Sequence, residues 1–238
     1  MPVENVMKQI ELTNRLSAVA DLVPRGARLC DVGTDHAYLP TALLLRGEIL
    51  RAVVTDLRPG PLEHARRTAA EYGVTDRMDF RLCDGLTGVG AGECDAVTIA
   101  GMGGETIAHI LSDAPWVREG KALILQPQST HPVLRRFLQR SGYRIRSERV
   151  AREGGRWYTV MEVSGGEMAP LTPGQEAAGR REDWIDQPER RGYLAWLCAG
   201  LRRQCEGLGR SAKPEDALRL AWMRRALEEL EPIVRHPE

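Results

Sequence analysis

The chain has 238 residues, 42% of them hydrophobic, with 33 Lys+Arg set against 33 Asp+Glu. That length holds one large domain, or one ordinary domain with an appendage, and the balanced charge gives no pointer to nucleic acid, although a local basic patch stays compatible with it. No run approaches the ~18 uninterrupted apolar residues of a membrane span, and the charged start MPVENVMKQIELTNRL lacks the apolar region of a signal peptide, so a cytoplasmic protein without membrane association is expected.

Residues 3–23 are expected to form a helix, with Leu12, Leu16, Val19, Ala20 and Val23 near one face and Pro24 and Gly26 as its stop. An alternation follows. Strands are expected over 27–33, 51–57, 78–85, 94–104 and 122–128, and helices over 38–47, 59–73, 105–111 and 131–142. A strand pair over 143–163 closes the series. Strands alternating with helices indicate βαβ units and a mostly parallel, doubly wound α/β sheet, here with an antiparallel end. The five cysteines are odd in number and form no CxxC; three lie in or beside strands as small hydrophobes. Neither a disulfide framework nor a metal site is expected from them.

Near residue 164 the composition turns to Gly, Pro and Ala, as in a linker. Beyond it Leu194, Leu197, Leu201, Cys205 and Leu208 recur at three and four, and so do Leu220, Met223, Leu227, Leu230 and Val234. Gly209 suits the end of the first helix and Pro214 the first turn of the second. The expected organisation is a catalytic domain over 1–163, then a linker and helical coiled-coil hairpin over 164–238.

Ligands of open parallel sheets bind beyond the carboxyl ends of the strands. The first strand leads into Asp31-Val32-Gly33-Thr34-Asp35, whose single glycine lets a ligand approach the backbone. The repeated glycines of a pyrophosphate cradle are missing. The second strand ends in Asp56, placed to accept hydrogen bonds from ribose hydroxyls, and the third in Asp84-Gly85, where a carboxylate can take an adenine amino proton. Each acid alone also reads as a cap or turn residue. Three in register favour a nucleoside-bearing ligand without a pyrophosphate, which points to S-adenosylmethionine rather than NAD. The fourth strand ends in Gly101-Met102-Gly103-Gly104, which supplies backbone groups and space but no nucleophile. Neither a [DN]-P-P-Y motif nor a Pro-Cys nucleophile is present.

The segments DVGTDHAYLP (31–40), CDGL (83–86), IAGMGG (99–104) and ILQPQ (124–128), with the later GGRWYTVMEV, resemble the bacterial tRNA adenine-N1 methyltransferases that modify position 22, the TrmK family. The resemblance covers roughly residues 12–163. It implies a class I, Rossmann-like methyltransferase fold, S-adenosylmethionine as donor, and N1 of a D-arm adenine of tRNA as acceptor. On that reading Asp31, Gly33, Asp56, Asp84, Gly85 and Gly101 serve the donor. Asp35 is the catalytic carboxylate, beside the developing positive charge; as an alternative it caps the helix beginning near Tyr38. His36 is a candidate for base or phosphate contact and Tyr38 for stacking on an extruded adenine. Met102, Gly103, Gln126, Pro127 and Gln128 would shape the acceptor side. Two positions depart from the family: Asp56 stands where a glutamate is usual, and Gln128 where an asparagine is. Arg135 and Arg136 begin a basic run that continues through Arg144, Arg146, Arg149, Arg152 and Arg156, suited to phosphate contact. Other acceptors on the same fold, or a non-catalytic interaction protein, are the alternatives. Oligomeric state stays open, with a slight preference for a monomer.

Overall fold

The computed structural model describes residues 9–209 and 213–235. In chain order the main elements are α1 (Asn14–Ala20), β1 (Ala27–Val32), α2 (Tyr38–Leu45), β2 (Ile49–Asp56), α3 (Pro59–Glu71), β3 (Met78–Leu82), β4 (Ala96–Gly103), α4 (Gly104–Asp113), β5 (Ala122–Ser129), α5 (His131–Arg140), β6 (Tyr143–Glu153), β7 (Arg156–Gly165), α6 (Pro173–Ala178), α7 (Glu189–Leu208) and α8 (Pro214–Arg235). The first helix is shorter than its apolar spacing suggests. The Thr13 side chain accepts from the Leu16 amide and caps the helix there, so the chain before it is not helical from residue 9 onward. Residues 1–8 of the expected helix lie outside the described residues.

The sheet has seven strands in the order β3-β2-β1-β4-β5-β7-β6. β1 to β5 are parallel, and β7 runs antiparallel to both β5 and β6. Period-two alternation divides the core between the two faces. Leu29, Val54 and Ile124 join α1, α2 and α3 on one side. Cys30, Val97, Leu123 and Leu125 join α4 and α5 on the other. The order in which successive strands are added to the sheet reverses between β1 and β4, which opens a crevice above their carboxyl ends.

The Gly- and Pro-rich stretch after β7 is not a plain linker. It holds α6, started by a capping box in which Thr172 and Gln175 exchange hydrogen bonds. Pro173 and Gly174 serve the helix start rather than flexibility, and Ala177 and Ala178 are buried. α6, α7 and α8 share a third apolar cluster with Val150 of β6. Gly209 caps α7, as expected. No described helix is long and apolar enough to cross a membrane.

Candidate active site

The turn after β1 alternates in backbone hand. Gly33, Asp35 and Ala37 have φ of 69°, 51° and 53°. A left-handed alanine and aspartate in one short turn cost about 1–3 kcal/mol each, and such strain gathers where side-chain direction matters. Gly33 and Thr34 donate their amides to the Thr55 carbonyl at 2.8 and 3.2 Å, and this ties the turn to β2. Ala37, not Asp35, is the residue before α2, and no side chain caps that helix. The alternative of Asp35 as a helix cap is therefore removed. Its side chain is 72% exposed and has His36 Nε2 at 3.9 Å.

Two clefts open along the strand ends. The first, of about 440 Å³, is lined by Gly33, Asp56, Asp84, Gly85, Met102 and Ile110 among others. The second, of about 370 Å³, is lined by Arg15, Asp31, His36, Tyr38 and Gln128 among others. Gly33, Asp35, Ala100 and Gly101 line both. The turn after β1 and the turn after β4 thus form the wall common to the two chambers.

In the first cleft Asp56 Oδ1 accepts from the Arg58 amide at 2.9 Å, which holds the carboxylate in place. Thr55 Oγ1 donates to the Gly85 carbonyl at 2.9 Å and so links the ends of β2 and β3. A Cβ on Gly33 would run into Met102 Cε, so only glycine leaves that wall open. Asp31, expected on the donor side, lines the second cleft and not the first; it is buried, and its two oxygens accept from the Thr34 and Thr98 hydroxyls, each at 2.6 Å. Burial raises its pKa above the usual carboxylate value against the pull of those two bonds.

Behind the second cleft Gln126 is fully buried. Its Oε1 accepts from the Gly101 amide at 3.1 Å and from Arg15 Nη1 at 2.9 Å, and its Nε2 donates to the Pro127 carbonyl at 2.8 Å. Gln126 therefore braces the cleft from behind, while Gln128 lines it. Arg15 was not singled out by sequence reasoning. It is brought in by α1, its amide bonded to Glu153 Oε2 at 2.9 Å and its guanidinium 5.8 Å from the Tyr158 ring centre. No local motif marks it, because its partners lie more than 100 residues away in the chain. The His36 ring stacks with those of Tyr38 (ring centres 5.3 Å apart) and His64 (4.7 Å).

Several expected site residues lie elsewhere. Met102 lines the first cleft rather than the second. Gly103 lines neither; it precedes α4 with its Cα facing Ser129 Oγ. Pro127 is buried opposite Met102 in the β4–β5 ladder. Arg135 is the clear correction: it has no exposure, and both its terminal nitrogens and Nε are engaged by Glu148, Glu176 and Ala177, so it is withdrawn from any phosphate. Arg136 pairs with Glu176 at 2.7 Å and lines neither cleft. Arg144, Arg146, Arg152 and Arg156 remain exposed.

Residues 12–161 match the family model described as a methyltransferase domain. The chain is 37% identical over 162 residues to a tRNA (adenine(22)-N(1))-methyltransferase of Bacillus subtilis, covering 68% of each chain. Among solved structures, the B. subtilis m1A22 tRNA methyltransferase TrmK superposes with a TM-score of 0.81 at 27% identity, over 95% of this chain and 100% of that one. A Streptococcus pneumoniae protein described as a putative tRNA (m1A22) methyltransferase, solved in complex with S-adenosyl-L-methionine, gives 0.76 at 29% identity over 94% and 100%. With a doubly wound sheet, acids at three strand ends and two clefts joined at Gly33, Asp35 and Gly101, the chain belongs to the tRNA (adenine(22)-N(1))-methyltransferase family.

Proposed function

We propose that this chain transfers a methyl group from S-adenosylmethionine to N1 of adenine 22 in tRNA. The observation that carries the proposal is the joining of the two clefts at Gly33, Asp35 and Gly101. One chamber suits a nucleoside donor and the other a base, with the shared wall at the point of transfer.

The first cleft fits the donor in size and in chemistry. Asp56 would hold the ribose hydroxyls and Asp84 the adenine amino group, while Gly33 and Gly101 let the sulfonium end approach the backbone. The bound donor supplies an electrophilic methyl group that needs no acid activation. The chain's task is therefore alignment. Neutral adenine N1 presents a lone pair, and the product base is cationic. Asp35 faces the acceptor with an exposed carboxylate, stabilises that growing charge and accepts from the amino group at C6. Tyr38, 44% exposed at the mouth, stacks on the extruded base. Gln128 orients its edge. Arg15, fixed by Gln126, sets a cation at the rim for a neighbouring phosphate.

Residues 1–163 carry both clefts in this reading, and the helices beyond add to the grip on tRNA. Both clefts are built within one chain, which supports a monomer as the working unit. A tRNA substrate supports the cytoplasm as the site of the reaction.

Labelled donor and unmodified tRNA test the substrate assignment. One methyl per tRNA, recovered as N1-methyladenosine, is expected; equal labelling when adenine 22 is changed to guanine would exclude it. Gly33→Ala tests the donor side. The left-handed backbone penalises a Cβ by about 1–2 kcal/mol, and Met102 must move into the first cleft. Calorimetry is expected to show donor affinity reduced roughly tenfold or more, and an unchanged affinity would place the donor elsewhere.

A further inference from the structure

His64 lines neither cleft and has no part in methyl transfer, yet it stands beside the proposed catalytic turn. It projects from α3, and its ring stacks on His36 with centres 4.7 Å apart and planes 19° from parallel. A ligating atom from each of Asp35, His36 and His64 lies within 4.8 Å of the others, and His36 Nε2 is 3.9 Å from Asp35 Oδ1. We infer that these three side chains form a site for a divalent transition-metal ion at the mouth of the acceptor cleft, and that occupation of the site inhibits the enzyme by engaging Asp35. The inhibitory half rests on the role proposed for Asp35; the binding half does not.

The chemistry of the set selects the ion. Two imidazoles and one carboxylate suit borderline ions such as Co²⁺, Ni²⁺ and Zn²⁺, whereas Mg²⁺ and Ca²⁺ prefer all-oxygen sites. Ligand distances of about 2.0–2.2 Å require the three groups to draw together. Asp35 and His36 are free to do so, with side chains 72% and 39% exposed. The His36 ring also lies nearly parallel to that of Tyr38, with centres 5.3 Å apart. Three protein ligands on an open surface leave further positions to water. The sequence spacing hides the site: His64 follows His36 by 28 positions (64 − 36), and α3 alone brings it back.

Cobalt is the probe, added to the full chain without tRNA and followed by visible absorption. One Co²⁺ per chain is expected, without the sulfur-to-cobalt charge-transfer band that the chain's cysteines would give. His64→Gln is expected to weaken binding on the order of tenfold or more, as loss of a ligand costs at least what loss of an outer-shell partner does. No saturable binding, a thiolate band, or equal affinity in His64→Gln overturns the site. In the second arm, cobalt is expected to suppress methyl transfer by the wild type, a chelator to restore it, and His64→Gln to keep its activity in the same cobalt. Equal suppression of both proteins overturns inhibition through this site. Cobalt bound to the wild type with transfer intact overturns the inhibitory half and counts against Asp35 as the reacting carboxylate, leaving the metal site standing.

Discussion

Asp35→Ala is expected to lower the rate of methyl transfer by about 10²–10³-fold, the usual cost of removing one preorganised electrostatic partner of the transition state. Donor affinity and melting temperature should hardly change. The physical reason is the isolation of the side chain: it caps no helix, is mostly exposed, and among the described residues has the His36 imidazole as its one close ionic contact. Little stability is stored there, so little is lost. Asp35→Asn is the sharper variant. Asparagine tolerates the left-handed backbone at φ 51° as aspartate does, keeps an oxygen that accepts from the adenine amino group, and removes the charge. If stabilisation of the cationic product dominates, Asn and Ala fall together. If acceptance from the amino group dominates, Asn keeps a substantial part of the rate. Single-turnover measurements on both variants separate these cases, and wild-type turnover in both, with normal melting, would sink the assignment.

The parallel strands, their carboxyl-end acids and the glycine turns were legible because each is a local pattern. Short, nearly continuous buried runs mark β1, β4 and β5, as in a parallel sheet covered on both faces. Asp56 ends β2 and Asp84 follows the end of β3. Pro214 and Gly209 are equally local signals and sit where expected, at the start of α8 and the end of α7. What escaped was long-range. Arg15 enters the acceptor cleft only because α1 packs against β6, β5 and β7. Gln126 reads as part of the acceptor set, yet the strand alternation turns it inward, where it braces Arg15 and Gly101. Glycine and proline after β7 suggested a linker, and the same residues also satisfy the first turn of a docked helix. Composition does not separate these two uses.

Arg135 shows why a basic run is a weak signal for phosphate, and it carries the largest expected effect on stability. Its side chain and that of Glu148 are both fully buried, joined by bonds of 3.0 and 2.6 Å. The remaining guanidinium nitrogen donates to the Glu176 and Ala177 carbonyls at 3.0 Å, so α5, β6 and the end of α6 meet on one residue. Gly179 lies so close to the Glu148 carboxylate that a Cβ would collide with it, and Arg190 donates to the Glu148 carbonyl at 2.6 Å from the other side. Replacing Arg135 by Met keeps the volume but leaves a buried carboxylate and two carbonyls without their donor. Breaking a buried pair in this way costs about 3–5 kcal/mol. For a chain of this size that is a fall in melting temperature on the order of 6–20 °C. Adding Glu148→Leu removes the stranded charge and is expected to recover much of the loss, since an apolar replacement of a buried pair is often neutral or better. Recovery stays incomplete where the two α6 carbonyls keep no donor. Thermal melts of the two single variants and the double variant form the cycle; a single Arg135→Met variant that melts with the wild type would remove the buried pair as the joint between the sheet and the C-terminal helices.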